Sequence, residues 1–125
     1  MPPHILVVDD DPSIRTVFQL ALESEGYNVA VAEHGKAALD RISERAPQVI
    51  LLDIRMPVMD GRTFADEYHS QPGPHAPIVL VTARSQTDLP IDNIGAAAIL
   101  LKPCDINLLL AKVATLAATS PTPGE

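Results

Sequence analysis

The sequence predicts one α/β domain, a parallel five-stranded sheet with helices on both faces. Three observations carry that expectation. Strand-length apolar runs alternate with helical periodicity five times along the 125 residues, the pattern of a doubly wound sheet. The run Val49-Ile50-Leu51-Leu52 is apolar at every position, as a strand buried on both faces is. That run ends in one aspartate, Asp53, ahead of the turn residues Met56-Pro57. In open α/β sheets the carboxyl ends of the strands are where ligands and chemistry sit.

Each element has its own signal. His4 to Val8 is a β-branched-rich strand ending in Asp9-Asp10-Asp11. Asp11 is a good N-cap and Pro12 a good first helical residue, so a helix opens there. Ile14, Val17, Phe18, Ala21 and Leu22 recur at helical spacing and should form its buried face. Gly26 ends it. Tyr27 to Ala32 is a second strand. A helix starts at Gly35, turns Ala38, Leu39 and Ile42 inward, and gives way at Pro47. Gln48 to Leu52 is the third strand. A third helix carries Phe64, Ala65 and Tyr68, and Gln71 to Pro77 is a loop by composition. Ile78 to Val81 is a fourth strand, closed by Thr82. Between Ala83 and Ile94 the signal is poorest, and Pro90 allows only a short or distorted fourth helix. Ala98 to Leu101 is the fifth strand, ending at Lys102-Pro103. Asp105 caps a last helix with Ile106, Leu109, Leu110, Val113, Leu116 and Ala117 on one face. The strand order that suits five such units is the flavodoxin-like 2-1-3-4-5.

Composition sets bounds. The chain is 46% hydrophobic with two Tyr, two Phe and no Trp, so its core is aliphatic. A formal charge of −7 argues against unaided nucleic-acid binding, which needs a basic face, and against an anionic membrane surface. The lone Cys104 forms no internal disulfide and no multi-cysteine metal site; it reads as a packed small hydrophobe. No basic leader runs into an apolar signal core, and no apolar run approaches the roughly 20 residues that span a bilayer. A soluble, cytoplasmic protein is expected. The four histidines, His4, His34, His69 and His75, show no ligand spacing and read as surface or loop residues.

Four polar signals fall at strand ends: Asp9-Asp10, Asp53, Thr82 and Lys102. In a parallel sheet these ends share one edge. Three carboxylates crowded there repel unless a cation intervenes. An incompletely caged oxygen site suits Mg²⁺, with Mn²⁺ as the alternative ion. A carboxylate can act as a nucleophile and form an aspartyl-phosphate. Lys102 offers a point charge and Thr82 a hydroxyl for phosphoryl oxygens.

The set Asp9-Asp10, Asp53, Met56-Pro57-Val58-Met59-Asp60-Gly61, Thr82-Ala83 and Lys102-Pro103, with Gly95-Ala96 ahead of the lysine, resembles the receiver domain of bacterial response regulators. The resemblance covers residues 4 to 118, so residues 1–118 are expected to form the receiver and 119–125 a disordered tail. It implies that Asp53 is the phosphoacceptor, charged by a histidine kinase or phosphotransfer protein. It implies that Asp10 is the direct Mg²⁺ ligand and that Asp9 acts largely through water. The backbone carbonyl of Arg55 would be a further ligand. Thr82 resembles the switch hydroxyl and Lys102 the phosphate-binding lysine, with a cis bond before Pro103. Such a domain is a signalling phosphoacceptor rather than an enzyme, with at most self-catalysed phosphotransfer and slow self-dephosphorylation.

The sequence also departs from that family. Three residues before the lysine stands Ile99, where receivers carry Tyr or Phe, and Cys104 replaces the common Phe after Lys-Pro. The span from Thr82 to Lys102 is shorter than in the family. The expectation is a receiver that keeps the chemistry but signals by an altered route. Arg55 and Arg84, each two residues past a key position, border the phosphoryl pocket in that family and would tune its lifetime. The alternative is a phosphate-independent interaction module on the same fold. A hydrolase using Asp53 is disfavoured, because Arg55 stands where a general-acid carboxylate is required. Output would pass to a downstream protein partner or to an output domain on a longer chain.

Overall fold

The structure is a computed structural model that describes residues 3–54, 56–83 and 95–119. Among these, β1 (His4–Val8), α1 (Pro12–Ser24), β2 (Asn28–Ala32), α2 (Gly35–Glu44), β3 (Val49–Leu52), α3 (Gly61–Ser70), β4 (Ile78–Ala83), β5 (Ala98–Lys102) and α4 (Ile106–Thr119) follow in order. The sheet order is β2-β1-β3-β4-β5, and every strand pair is parallel. The chain leaves β1 for β2 on one side and β3 on the other, so a crevice opens above the carboxyl ends of β1 and β3.

Strand alternation sorts the core into two layers. Leu6, Val8, Ile50, Leu52, Ile78 and Leu80 face Ala38, Phe64, Ala65 and Tyr68 of α2 and α3. Ile5, Val7, Val49, Leu51, Val79 and Val81 face Phe18, Leu22, Leu109 and Val113 of α1 and α4. Asp11 and Asp105 cap their helices as expected, and Asp60, not singled out as a cap in the sequence, caps α3. Asp11 Oδ1 accepts from the Ser13 amide at 2.8 Å, Asp60 Oδ1 from the Thr63 amide at 2.8 Å, and Asp105 Oδ1 from the Asn107 amide at 2.8 Å. Gly26, at φ +92°, turns the chain out of α1.

The expectations for Val17, His4 and Tyr27 are corrected. Val17 is half exposed. The buried stripe of α1 is the narrower row Ile14, Phe18, Leu22 at i, i+4 spacing, and Val17 instead lines a cleft with Pro103, Cys104 and Ile106. His4 is not a surface residue but is buried in β1. Its strand is flanked on both sides, with Asn28 opposite and the Gln48 side chain accepting from its amide at 2.8 Å. His34 is partly buried and caps α2, its Nδ1 accepting from the Ala37 amide at 3.1 Å. Tyr27 stands just before β2 rather than in it. Ala83 closes β4 rather than opening the expected short fourth helix; residues 84–94 and, of the tail expected at 119–125, residues 120–125 lie outside the described residues, while Thr119 is the last residue of α4.

Candidate functional site

Strand register builds the site. Val8 and Leu52 are partners in β1 and β3, so the residues that follow them, Asp9 and Asp53, emerge side by side. The ladder runs one step further: the Asp53 amide donates to the Val8 carbonyl at 2.9 Å, and the Asp9 amide to the Ala32 carbonyl at 3.1 Å. On the other flank Ala83 pairs with Lys102 and Thr82 with Leu101, which brings the lysine and the threonine to the same edge.

The loop after Asp53 is held by two glycines. The Gly61 amide donates to the Ile54 carbonyl at 2.7 Å, and a Cβ on Gly61 would collide with the Asp53 carbonyl. The Gly35 amide donates to the Met59 carbonyl at 2.9 Å, and a Cβ there would meet the Met59 side chain at 2.7 Å. The loop is thus pinned between the first turns of α2 and α3. Only residues without a side chain permit that approach.

Asp9 and Asp53 are 2% and 3% exposed, whereas Asp10 is exposed. A carboxylate oxygen from each lies within 4.8 Å of the other two. Lys102 Nζ donates to Asp9 Oδ2 at 2.7 Å and stands 3.7 Å from Asp53 Oδ2. The Asp11 amide donates to Asp9 Oδ1 at 2.9 Å, and the Ile54 amide to Asp53 Oδ1 at 2.9 Å. Thr82 is fully buried at the end of β4. Burial, reinforced by the charge of Asp9, pushes the Asp53 carboxyl from 3.8 up to about 6, against the pull of Lys102. For Lys102, burial disfavours the charge, but its bond to Asp9 and the charges of Asp53, Asp9 and Asp10 prevail and raise its pKa. The lysine is therefore a fixed cation.

Three hard oxygen donors close together, opposed by one ammonium, form a donor set that fits a small divalent cation such as Mg²⁺ or Mn²⁺. The exposed Asp10 leaves the cluster open to solvent on one side. The Lys102–Pro103 peptide is cis. Cys104 is partly buried among apolar neighbours, and burial pushes its thiol pKa up. Ile99 is 47% exposed on the edge strand. Arg55, expected to offer its carbonyl as a ligand, and Arg84 lie outside the described residues.

One residue at the site escapes the sequence reading. Arg15 Nη1 donates to the backbone carbonyl of Asp9 at 2.8 Å. The available signal was its position. It is the sole cation in α1 and sits near the helix start, where the helix dipole disfavours positive charge.

Fold and site together define a class: a flavodoxin-like domain with an acidic, lysine-paired cluster at the carboxyl edge of its sheet. The model of the response regulator receiver domain matches residues 5–114. The chain belongs to this family, the receivers of two-component systems. The response regulator MprA of Mycobacterium sp. strain KMS is 38% identical over 127 residues, covering 99% of this chain and 55% of that protein. The transcriptional regulatory protein ZraR of Escherichia coli K12 is 38% identical over 109 residues, covering 86% of this chain and 24% of that protein. The crystal structure of the receiver domain of NtrX from Brucella abortus superposes with a TM-score of 0.84 at 30% identity, covering 93% of this chain and 99% of that one. The chain thus spans about half the length of MprA and a quarter of ZraR. No helix among the described residues is long and apolar enough to cross a membrane.

Proposed function

We propose that Asp53 accepts a phosphoryl group from the phosphohistidine of a histidine kinase or phosphotransfer protein, in a Mg²⁺-dependent reaction, and that this switches the protein contacts of the domain. The observation that carries the reading is the convergence of Asp53 with Asp9, Asp10 and Lys102 on one sheet edge. An Asp53 carboxylate oxygen forms the new bond to phosphorus. The phosphorus–nitrogen bond to the donor histidine breaks, and the imidazole leaves with the electron pair. Lys102 stands within reach of both Asp9 and Asp53, so it can turn from its carboxylate partner to a phosphoryl oxygen. Thr82 supplies the hydroxyl at the end of β4. Asp9 and Asp10, with Asp53 itself and the carbonyl of Arg55, would hold Mg²⁺. Bound there, Mg²⁺ supplies positive charge that offsets the phosphoryl oxygens. Arg55 and Arg84 would set the lifetime of the phosphorylated state.

Phosphorylation adds charge and acceptors at a buried carboxylate and shifts a two-state equilibrium. The longer relatives support output through a further domain or a separate partner, and a cytoplasmic setting follows from a kinase donor. Ile99 favours a second reading, a phosphate-independent interaction module, because it is exposed on β5 and has no ring to turn inward. One experiment decides between them: intact mass after incubation with Mg²⁺ and a small-molecule phosphodonor, with Asp53→Asn in parallel. A gain of one phosphoryl group, lost without Mg²⁺ and in the variant, is expected. No gain from either a small donor or a cognate kinase leaves the second reading.

A further inference from the structure

We infer that Arg15 is a positioning residue for the acidic cluster, fixing the peptide plane that aims Asp10. The inference rests on the reading of that cluster as a Mg²⁺ site. Asp9 is anchored at four points: its amide on Ala32, its Oδ1 on the Asp11 amide, its Oδ2 on Lys102, and its carbonyl on Arg15. The first three fix Asp9 itself. The fourth acts on its neighbour, because the Asp9 carbonyl and the Asp10 amide belong to one planar unit. Holding that carbonyl sets the direction in which the Asp10 Cα and its side chain leave the strand.

The corner around Arg15 supports this assignment. Arg15 and Arg41 line the same small cavity of about 160 Å³ at the ends of α1 and β2. Arg41 is engaged with other partners, its Nε reaching the Val31 carbonyl at 3.4 Å and its Nη1 reaching Glu44 at 3.3 Å. Arg15 alone of the two donates to the acidic cluster, on the carbonyl that orients Asp10. A cation near the start of α1 opposes the helix dipole, and the bond to Asp9 gives it a tertiary reason to stand there.

Charge and positioning make opposite predictions. Removing a guanidinium near three carboxylates should, by charge alone, tighten the binding of a divalent cation. Removing a device that aims Asp10 should weaken it. Arg15→Met keeps the stem and a good helix former but loses charge and donors. Mg²⁺ affinity is measured by calorimetric titration of wild type and variant, with melting curves of both in EDTA. The expected result is binding about tenfold weaker in the variant, the range typical of groups that orient metal ligands. Equal or tighter binding in a folded variant overturns the role of Arg15, whatever its melting temperature. A wild type that binds no Mg²⁺ overturns the reading of the site itself. A second measurement needs no variant. Coupling is reciprocal, so Mg²⁺ added to the wild type should slow exchange of the Arg15 guanidinium protons in nitrogen-edited NMR. Unchanged exchange at saturating Mg²⁺ would also overturn the inference.

Discussion

The two ends of β1 bury titratable groups by opposite means. At the amino end, His4 is enclosed between β2 and the Gln48 side chain, and its Nδ1 has no hydrogen-bond partner among the described residues. Burial, with Arg45 nearby, lowers its pKa, so it stays neutral. At the carboxyl end, the carboxylates of Asp9 and Asp53 are held beside the Lys102 ammonium and backbone amides, which offset their burial and mutual repulsion in part. A buried group that only fills space can shed its charge. Charges kept beside one another need compensation, and the compensating groups are those available to a phosphoryl group or a cation.

The comparison is broken most severely by removing Lys102. Lys102→Met leaves two buried carboxylates without their cation. Breaking a buried pair in this way destabilises by about 3–4 kcal/mol, less whatever protonation of Asp53 relieves. The measurement is urea unfolding at pH 7.5 in EDTA, and a loss below about 1 kcal/mol, the value of an exposed pair, would mean that the lysine is not needed for compensation.

A smaller effect of opposite sign is expected at Asp53. Its folded pKa, about 6, lies above the unfolded value. The carboxyl therefore favours the fold when protonated, and that contribution is lost as pH rises through about 6. Asp53→Asn should stabilise the metal-free protein at pH 7.5 by about 2 kcal/mol, discounted from the full shift because a buried amide remains. The gain should shrink as pH falls and vanish near pH 4. A gain independent of pH would refute the assignment of the shift to this carboxyl.

The smallest effect belongs to the amino end. His4 has a folded pKa below its unfolded value, so the unfolded chain takes up the proton first, and stability falls as pH drops below about 6.5. His4→Leu should change stability by no more than about 1 kcal/mol at pH 8, yet exceed wild type by more at pH 5. Parallel pH profiles for the two proteins would show that His4 is not the acid-sensitive group.

Much of this was legible in the chain. Asp53 could be read because an all-apolar run is interrupted by one carboxylate at strand length. Asp9-Asp10, Thr82 and Lys102 could be read because each closes a strand, and parallel strands share an edge. Val17 was misplaced because helical periodicity marks a stripe but not its width, which the packing of α1 on the sheet decides. His4 was misplaced because a histidine carries no local signal of burial, and the enclosure comes from strands distant in sequence. Arg15 was missed because its partner is a backbone carbonyl, which sequence does not distinguish.

By itself, then, the sequence determined the alternation of strands and helices, the parallel order and the residue types at the carboxyl edge, since these follow from local periodicity, caps and turn residues. Tertiary structure alone decided the distances. Lys102 lies 2.7 Å from Asp9 and 3.7 Å from Asp53, and Arg15 reaches the carbonyl behind Asp10. Those distances depend on register between strands far apart in the chain and on two glycines that let backbone approach backbone, and neither is written in any single segment.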